Sequence, residues 1–454
     1  MKNKHNSTAA FNREFRNWRI WVTRGIVVAA AGIAGLTVAA FTWLGEQALE
    51  LFMDAFHFKS WIALLWTPLC TAAIVWITRR YFSAAAGSGI PQVMAALDPL
   101  APASVAGKLV SFKLSLAKVA LTTWGLLAGL SLGREGPSVQ VAAGIMLTAR
   151  RWLPDRSAVS THGLLVAGGA AGIAAAFNTP LAGIMFAIEE LSRTPEQRSS
   201  GLLMSAIVLA GLIAVSIYGN ATYFGIIHAS GIGLSLLLPG LLVALVSGLA
   251  GGLFSRLLQA SLGGQARDRL SRLRRSHPVL FAALCGLLVA VIGVVSAGTT
   301  FGSGYSHTRD MVAGRESVPA LFLLLKFVAT WLTAWSGVPA GIFAPSLAIG
   351  AALGNDIAQL LHSPHATALI ALGMVGFLAA ATQAPLTSFI IVMEMVDGHS
   401  MVLSLMACAM VSRTVSHVIS APLYAVLAQQ QLANAASLAQ QSDSGQIERI
   451  GDRR

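Results

Sequence analysis

The segment GREGPSVQ, residues 133 to 140, places an arginine and a glutamate side by side in a strongly apolar part of the chain. The flanking segments LLAGLSL and VAAGIML contain no charged residue. An ionised carboxylate in apolar surroundings is costly, so Glu135 needs hydrogen-bonding partners or must be able to take up a proton. Gly133 and Pro137 frame the pair, and proline is well tolerated in the first turn of a helix. The pattern predicts a helix N-terminus that carries a titratable glutamate.

Two other motifs have the same form, with glycine at the start and proline at the end: GSGIP at 87 to 91 and GIFAP at 341 to 345. We expect each motif to begin a helix inside an apolar region. The first N–H groups of a helix have no partner within it, and the helix dipole places about half a positive charge there. Several such N-termini that meet at one point bind an anion without a formal cation. The alternative interpretation is that the motifs are kinks closed by neighbouring helices.

Glu135 can compete with an anion for such a site. Burial favours the neutral form of its carboxyl group, whereas nearby helix N-termini favour the charged form. When ionised, the side chain occupies the anion site, and when protonated it leaves, which couples proton and anion movement. The alternative is a buried ion pair between Glu135 and Arg134, although neighbouring side chains on one helix diverge.

The composition indicates where these motifs lie. Of 454 residues, 55% are hydrophobic and 11% are charged, and the mean hydropathy is +0.69. So much apolar surface cannot be buried in a soluble core. The apolar runs are near or above the roughly 20 residues that a helix needs to cross a bilayer, and the alternating pattern of a membrane barrel is absent. The sequence therefore predicts an all-α polytopic membrane protein. The runs cover residues 20–44, 61–77, 105–149, 162–191, 201–217, 232–257, 279–297, 318–362, 366–396 and 401–424.

The net charge of +12 comes largely from terminal and loop segments, such as MKNKHNSTAAFNREFRNWR and RDRLSRLRR. We interpret these segments as topology signals and as contacts with anionic lipid headgroups, and we expect no nucleic-acid partner. The positive-inside rule places residues 1–19 in the cytoplasm. The three cysteines and ten histidines are scattered without the spacing of metal ligands, so neither a metal site nor a disulfide is expected.

The chain also repeats itself weakly. KVALTTWGLLAGLSLGREGP at 118 to 137 aligns without a gap with KFVATWLTAWSGVPAGIFAP at 326 to 345. Further on, AAAFNTPLAGIMFAIEE at 174 to 190 aligns with AAATQAPLTSFIIVMEM at 379 to 395. Repeats of this kind are typical of transporters built from two related halves.

The repeat predicts the division of the chain. We expect one membrane domain, residues 20–430, with a first half at about 20–265 and a second half at about 276–430. Residues 431–454 form a short cytoplasmic tail. The second alignment pairs Glu189 with Glu394 and leaves Glu190 without a counterpart, which indicates a structural role for the matched pair and an additional role for Glu190.

These motifs resemble those of the CLC family of chloride channels and transporters. GSGIP, GREGP and GIFAP occur in the family's order, and AAAFNTPLAGIMFAIEE and APLY at 421 to 424 are similar to its matching stretches. The resemblance implies a CLC-type fold of two inverted-repeat halves with broken helices that meet at mid-membrane. It also implies a homodimer with a pathway in each subunit, bound chloride ions and no cofactor. Only 30 residues follow Tyr424, so the paired regulatory domains of many relatives are not expected.

The resemblance also implies roles for individual residues. Glu135 would be the gating glutamate, and Glu190 would transfer protons on the intracellular side, as the corresponding acid does in the family's exchangers. The chloride ligands would come from side-chain hydroxyl groups, backbone N–H groups and an outer site. These residues are Ser88 and Tyr424 for the hydroxyls, Ile342 and Phe343 for the N–H groups, and Arg134 to Gly136 for the outer site.

The implied function is secondary active exchange of chloride for protons across the plasma membrane, the inner membrane in a bacterium. The alternative is a passive voltage-gated chloride channel of the same fold, in which the current follows the chloride gradient alone. Ser88 favours chloride, because nitrate-preferring relatives tend to have proline there. An intramembrane enzyme is not expected, because neither a Gly-x-Ser-Gly nor a Walker pattern occurs.

Overall fold

The computed structural model describes residues 18–99, 107–154, 159–192, 200–219, 222–227, 234–263, 268–315 and 319–434. Nearly all of the predicted N-terminal segment 1–19 and C-terminal tail 431–454 lies outside these residues. The same is true of position 265, where the first half was expected to end. The division into halves at these positions stays a prediction.

The described residues are helical apart from connecting loops and one isolated bridge between Gly133 and Gly341. We number the longer helices in chain order. They are α1 (Trp18–Phe58), α2 (Ile62–Tyr81), α3 (Ile90–Leu97), α4 (Phe112–Leu127), α5 (Glu135–Ala149), α6 (Thr161–Phe177), α7 (Pro180–Phe186), α8 (Ser200–Tyr218), α9 (Leu237–Leu262), α10 (Arg269–Ser276), α11 (Pro278–Val295), α12 (Tyr305–Val312), α13 (Leu321–Ser336), α14 (Phe343–Leu360), α15 (Ala366–Thr382), α16 (Pro385–Met395), α17 (Val402–Ile419) and α18 (423–434).

Seven helices within the described residues are long and apolar enough to cross a membrane. Most of the others are shorter, because several of the predicted apolar runs are broken. The run at 162–191 divides at Asn178, which has a left-handed φ of 59°, and Pro180 then begins α7. Gln383, with a φ of 65°, and Pro385 divide the equivalent run in the second half. A left-handed residue ends a helix and a proline suits the first turn of the next one.

Small residues bring the central helices close together. Helices α14 and α15 pack at Gly350 and Gly373, where a Cβ atom on either glycine would overlap the carbonyl oxygen of the other. Gly172 on α6 makes a similar close approach to the backbone of Ser138 on α5. Close contact through small residues is the usual way in which membrane helices associate.

Glu189 and Glu394 show how the two halves are oriented. The Glu189 carboxylate accepts hydrogen bonds from the N–H groups of Leu386 and Thr387, at 3.1 and 2.6 Å, in the first turn of α16. The Glu394 carboxylate accepts from Leu181 and Ala182, at 3.2 and 2.8 Å, in the first turn of α7. Glu189 follows the end of α7 and caps the start of α16, and Glu394 lies at the end of α16 and caps the start of α7. The two helices therefore run antiparallel. Equivalent helices with opposite directions confirm the predicted inverted repeat.

Candidate functional site

The three glycine- and proline-containing motifs meet at one place. Gly133 and Gly341 exchange two backbone hydrogen bonds, at 2.8 and 2.9 Å, which join the GREGP and GIFAP loops. The Gly87 N–H donates to the Val338 carbonyl and the Ala340 N–H donates to the Gly87 carbonyl, both at 3.1 Å. These four bonds fix the loops that precede α3, α5 and α14 against each other. The predicted convergence of the helix starts is therefore confirmed.

Each motif begins a helix in the predicted way. Helix α5 begins at Glu135 with Pro137 as its third residue, and α14 begins at Phe343 with Pro345 as its third. The first N–H groups of these helices lack intrahelical partners, and proline at the third position has no N–H to satisfy. The interpretation as closed kinks is wrong, because separate helices begin at all three motifs.

The Glu135 carboxyl group lies between the starts of α5 and α14. Glu135 is 1% exposed. The backbone N–H groups of Glu135 itself and of Ala344, which belong to opposite halves of the chain, point towards its oxygens. Neither oxygen meets the geometry of a hydrogen bond with any residue that the structure describes. Glu135 is therefore a buried acid that faces backbone N–H groups of both halves.

Arg134 pairs with a different acid. Its guanidinium Nη2 lies 2.8 Å from Glu46 Oε1 on α1, and it also donates to the Tyr223 hydroxyl at 3.3 Å. Nη1 donates to the Thr42 carbonyl, also at 3.3 Å. The alternative of an Arg134–Glu135 ion pair is thus wrong, because the arginine side chain turns towards α1. Sequence reasoning missed Glu46, whose only signal is an acid near the end of a long apolar helix.

The predicted hydroxyl ligands line a different cavity from Glu46. The hydroxyl groups of Ser88 and Tyr424 approach each other without forming a hydrogen bond. Neither has a partner among the described residues. Phe343 stacks on Tyr424 with ring centroids 5.9 Å apart and planes 13° from parallel. The stack places the start of α14 beside the two hydroxyl groups, so Ile342, Phe343, Ser88 and Tyr424 form one group.

Both glycines of GREGP lie so close to neighbouring side-chain oxygens that a larger residue would overlap them. A Cβ atom on Gly136 would overlap the Ser88 Oγ and would lie 3.1 Å from the Ser88 carbonyl oxygen. A Cβ atom on Gly133 would overlap Glu135 Oε2. Because glycine has no Cβ atom, these two positions leave space for the Ser88 hydroxyl and for the Glu135 carboxylate.

Two cavities approach this group from opposite faces of the protein. The first is lined by Ser88, Ile342 and Tyr424 and also by Arg274 and residues of α18. The second is lined by Glu46, Arg134 and Glu135. Glu46 lies about 40 Å along α1 from its first residue, at 1.5 Å per residue, so the second cavity faces the side opposite to the start of α1.

A third cavity contains Glu190. This residue lies half-buried in the π-helical turn Ala187–Leu191 that extends α7, and such turns often occur at functional sites. Glu190, Gln383, Arg413 and Tyr424 line the cavity. Tyr424 thus borders both this cavity and the first one.

Two buried lysines support the loops symmetrically. Lys118 Nζ donates to the carbonyls of Ala85 and Gly87 at 2.7 and 2.6 Å, just before α3. Lys326 Nζ donates to Thr300 and Gly302 at 2.9 and 2.8 Å, just before α12. Both lysines are fully buried. The sequence repeat aligned them but gave no role, because their carbonyl partners lie on loops distant in sequence.

Comparison with known proteins identifies relatives. The family described as Voltage gated chloride channel matches residues 69–417. The H(+)/Cl(-) exchange transporter ClcA of Citrobacter koseri is 30% identical over 433 residues, which are 91% of this chain and 89% of that relative. The transporter of the same name from Klebsiella pneumoniae subsp. pneumoniae is 31% identical over 88% of this chain and 87% of its own length.

Solved structures show the same fold. A slow cyanobacterial Cl-/H+ antiporter superposes with a TM-score of 0.78 at 24% identity, covering 90% of this chain and 98% of its own. A CLC-type fluoride/proton antiporter superposes with a TM-score of 0.70 at 22% identity, covering 88% of this chain and 97% of its own. With most of the chain matched by the family and by relatives of 30% identity, this protein belongs to the voltage gated chloride channel family, the CLC proteins.

Proposed function

We propose that this protein is a secondary active transporter that exchanges chloride for protons across the membrane. The observation that carries the proposal is the position of Glu135: a buried carboxyl group faces N–H groups of both halves and lines the second cavity, close to the end of the first. The names of the relatives, H(+)/Cl(-) exchange transporter ClcA, support exchange over passive conduction.

In this proposal chloride is bound by hydroxyl and N–H donors. Ser88 and Tyr424 supply hydroxyl groups that have no other partner in the described part of the chain. The N–H groups of Ile342, Phe343 and Gly136 complete the ligand set at the helix starts. Helix dipoles and hydroxyls favour an anion without the tight binding of a formal cation, so the ion can also leave. Arg134 acts on the outer side, where its pairing with Glu46 fixes the start of α5.

Glu135 is the gate in this mechanism. Its ionised carboxylate takes the anion's place between α5 and α14, and chloride can replace it once the carboxyl group is protonated. Each replacement therefore requires a proton, which couples the two fluxes. Glu190 supplies that proton from the third cavity, past Tyr424.

The test is flux in proteoliposomes that carry the purified protein, with chloride and pH electrodes read together. A proton gradient imposed without a chloride gradient should drive chloride uphill, and a pure channel would leave chloride at equilibrium. Glu135→Gln is expected to abolish proton movement and to retain chloride flux. Coupled exchange that persists in this variant rejects the gate.

Glu190→Gln is expected to uncouple protons without blocking chloride. Glu189→Gln is the matched control, because Glu189 is the neighbouring acid and its carboxylate caps α16. If both variants keep proton coupling, Glu190 has no role in proton transfer. If both lose it, the effect comes from disturbing the end of α7.

The remaining expectations follow from the same proposal. We propose a homodimer with a pathway in each subunit, a location in the plasma membrane, and no enzymatic activity and no cofactor beyond the transported ions. Cross-linking in membranes tests the dimer, and replacing chloride by fluoride or nitrate in the flux assay tests the anion preference.

A further inference from the structure

The first cavity contains a cation that the transport mechanism does not use. Arg274, on α10, lines the cavity together with Ser88 and Tyr424. It is the only charged side chain among the described residues of that lining. The other polar side chains there are uncharged, chiefly the amides Gln92, Gln430 and Asn434.

The guanidinium group of Arg274 lacks an acidic partner in the described residues. Within the described part of the chain, its one hydrogen bond runs from Nη1 to the Ser261 carbonyl, at 2.8 Å, in the last turn of α9. The C-terminal end of a helix is favourable for a cation, which explains why the side chain is held there. Burial, with a smaller contribution from Arg79, lowers the pKa of Arg274, and an arginine still carries its charge at neutral pH.

The surroundings place this arginine on the basic side of the protein. Helix α2 ends with Arg79 and Arg80, and α10 carries Arg272 and Arg275 as well as Arg274. Basic residues at helix ends indicate the cytoplasmic face. The first cavity therefore opens towards the cytoplasm, and Arg274 lines it together with Ser88 and the buried Tyr424.

We propose that Arg274 forms an anion-capture site in the cytoplasmic cavity, which draws chloride in before it reaches Ser88 and Tyr424. A charged wall in a narrow aqueous opening raises the local concentration of the opposite charge. Held by one carbonyl, the guanidinium keeps other N–H groups for an anion. This inference rests on the proposed chloride transport and adds a residue to its cytoplasmic access path.

The test compares Arg274→Gln with Arg275→Gln, an exposed arginine of the same helix that does not line the cavity. The KM for chloride applied to the cytoplasmic side is expected to rise about fivefold in Arg274→Gln. This factor corresponds to the loss of the attraction between one unit charge on the protein and one chloride ion in largely aqueous surroundings. The rate at saturating chloride and the proton coupling stay unchanged, and so does the KM in Arg275→Gln.

A second variant separates charge from structure. Arg274→Cys is modified from outside the vesicles by membrane-impermeant methanethiosulfonates, which reach only molecules whose cytoplasmic face is turned outward. Cys70, Cys285 and Cys408 are at most 5% exposed, and the unsubstituted protein controls for their reaction. A trimethylammonium adduct is expected to restore the low KM, and a sulfonate adduct to raise it further.

The outcomes are distinguishable. If the unsubstituted protein moves no chloride, the proposed function fails. If it moves chloride and the KM in Arg274→Gln equals that of Arg275→Gln, or both adducts act alike, the capture site is rejected while the transporter stands.

Discussion

The closeness of Gly136 to Ser88 allows a quantitative test of the site. Replacing Gly136 with alanine retains the backbone N–H but adds a Cβ atom where the Ser88 Oγ lies. The Ser88 carbonyl oxygen and Cβ remain at 3.1 and 3.4 Å from the added atom, which is tight but tolerable. The loop itself is held by backbone bonds from Gly87 to Val338 and Ala340, so the hydroxyl must rotate away.

The free-energy terms for folding and for binding differ. Displacing a side chain from its rotamer costs about 0.5–1.5 kcal/mol, and alanine within a helix is about 1 kcal/mol better than glycine. The stability of Gly136→Ala is therefore expected to be close to that of the parent. A hydrogen bond to a charged group contributes about 1.5 kcal/mol at the lower end of its range, which corresponds to roughly a tenfold loss of chloride affinity.

The assay is a double-mutant cycle. Chloride binding is measured by isothermal titration calorimetry for the parent, Gly136→Ala, Ser88→Ala and the double variant. Each single change is expected to weaken binding about tenfold, and the double variant is expected to be no weaker than either, since the same hydroxyl is lost once. Gly25→Ala is the control, because a Cβ atom there meets nothing within 4 Å.

Thermal denaturation of each variant shows whether a loss of binding reflects unfolding. Additive losses in the double variant would refute the reasoning, because they would mean that the alanine at position 136 and the Ser88 hydroxyl act independently. Wild-type affinity in Gly136→Ala would refute it as well, since the hydroxyl would then not be a ligand.

Three further predictions concern the supporting contacts. Glu394→Gln removes the ionised acceptor of two N–H groups, so the Tm is expected to fall by the equivalent of about 1–2 kcal/mol, as in Glu189→Gln, with proton coupling intact in the flux assay. Glu46→Gln weakens the partner of Arg134, and because Glu46 is half-exposed the loss is expected to stay near 0.5 kcal/mol in thermal denaturation; a loss of several kcal/mol would contradict this. Lys326→Met leaves two carbonyls before α12 without their donor, so the Tm is expected to fall, by about 1–3 kcal/mol, and an unchanged Tm would show that water replaces the ammonium group.

Local sequence chemistry predicted the parts of the site that depend on backbone geometry. Glycine followed by proline marked the starts of α3, α5 and α14, and the weak repeat paired α5 with α14 correctly. Hydropathy predicted that Glu135 is buried. These features follow from the residues in one short segment, so no knowledge of distant contacts is needed.

Features that depend on tertiary contacts were not predictable. The partner of Arg134 is 88 residues away on α1, and nothing near either residue indicates the other. Hydropathy averaged over a run also hides a break at a single left-handed residue such as Asn178 or Gln383. The place of Arg274 in the first cavity follows only from the tertiary contact between its guanidinium group and the Ser261 carbonyl at the end of α9.

The distribution of charge along the proposed path explains why its parts differ in chemistry. A formal cation at the proposed central site would hold the ion too tightly to pass it on. That site instead consists of hydroxyl groups and helix starts. The proposed role of Arg274 differs, because a cation in the aqueous cytoplasmic cavity can attract chloride without retaining it. The two buried lysines donate to loop carbonyls, so their N–H groups are already engaged. In the proposed mechanism Glu135 competes with chloride, because both are anions held by the same weak donors, and a single proton decides between them.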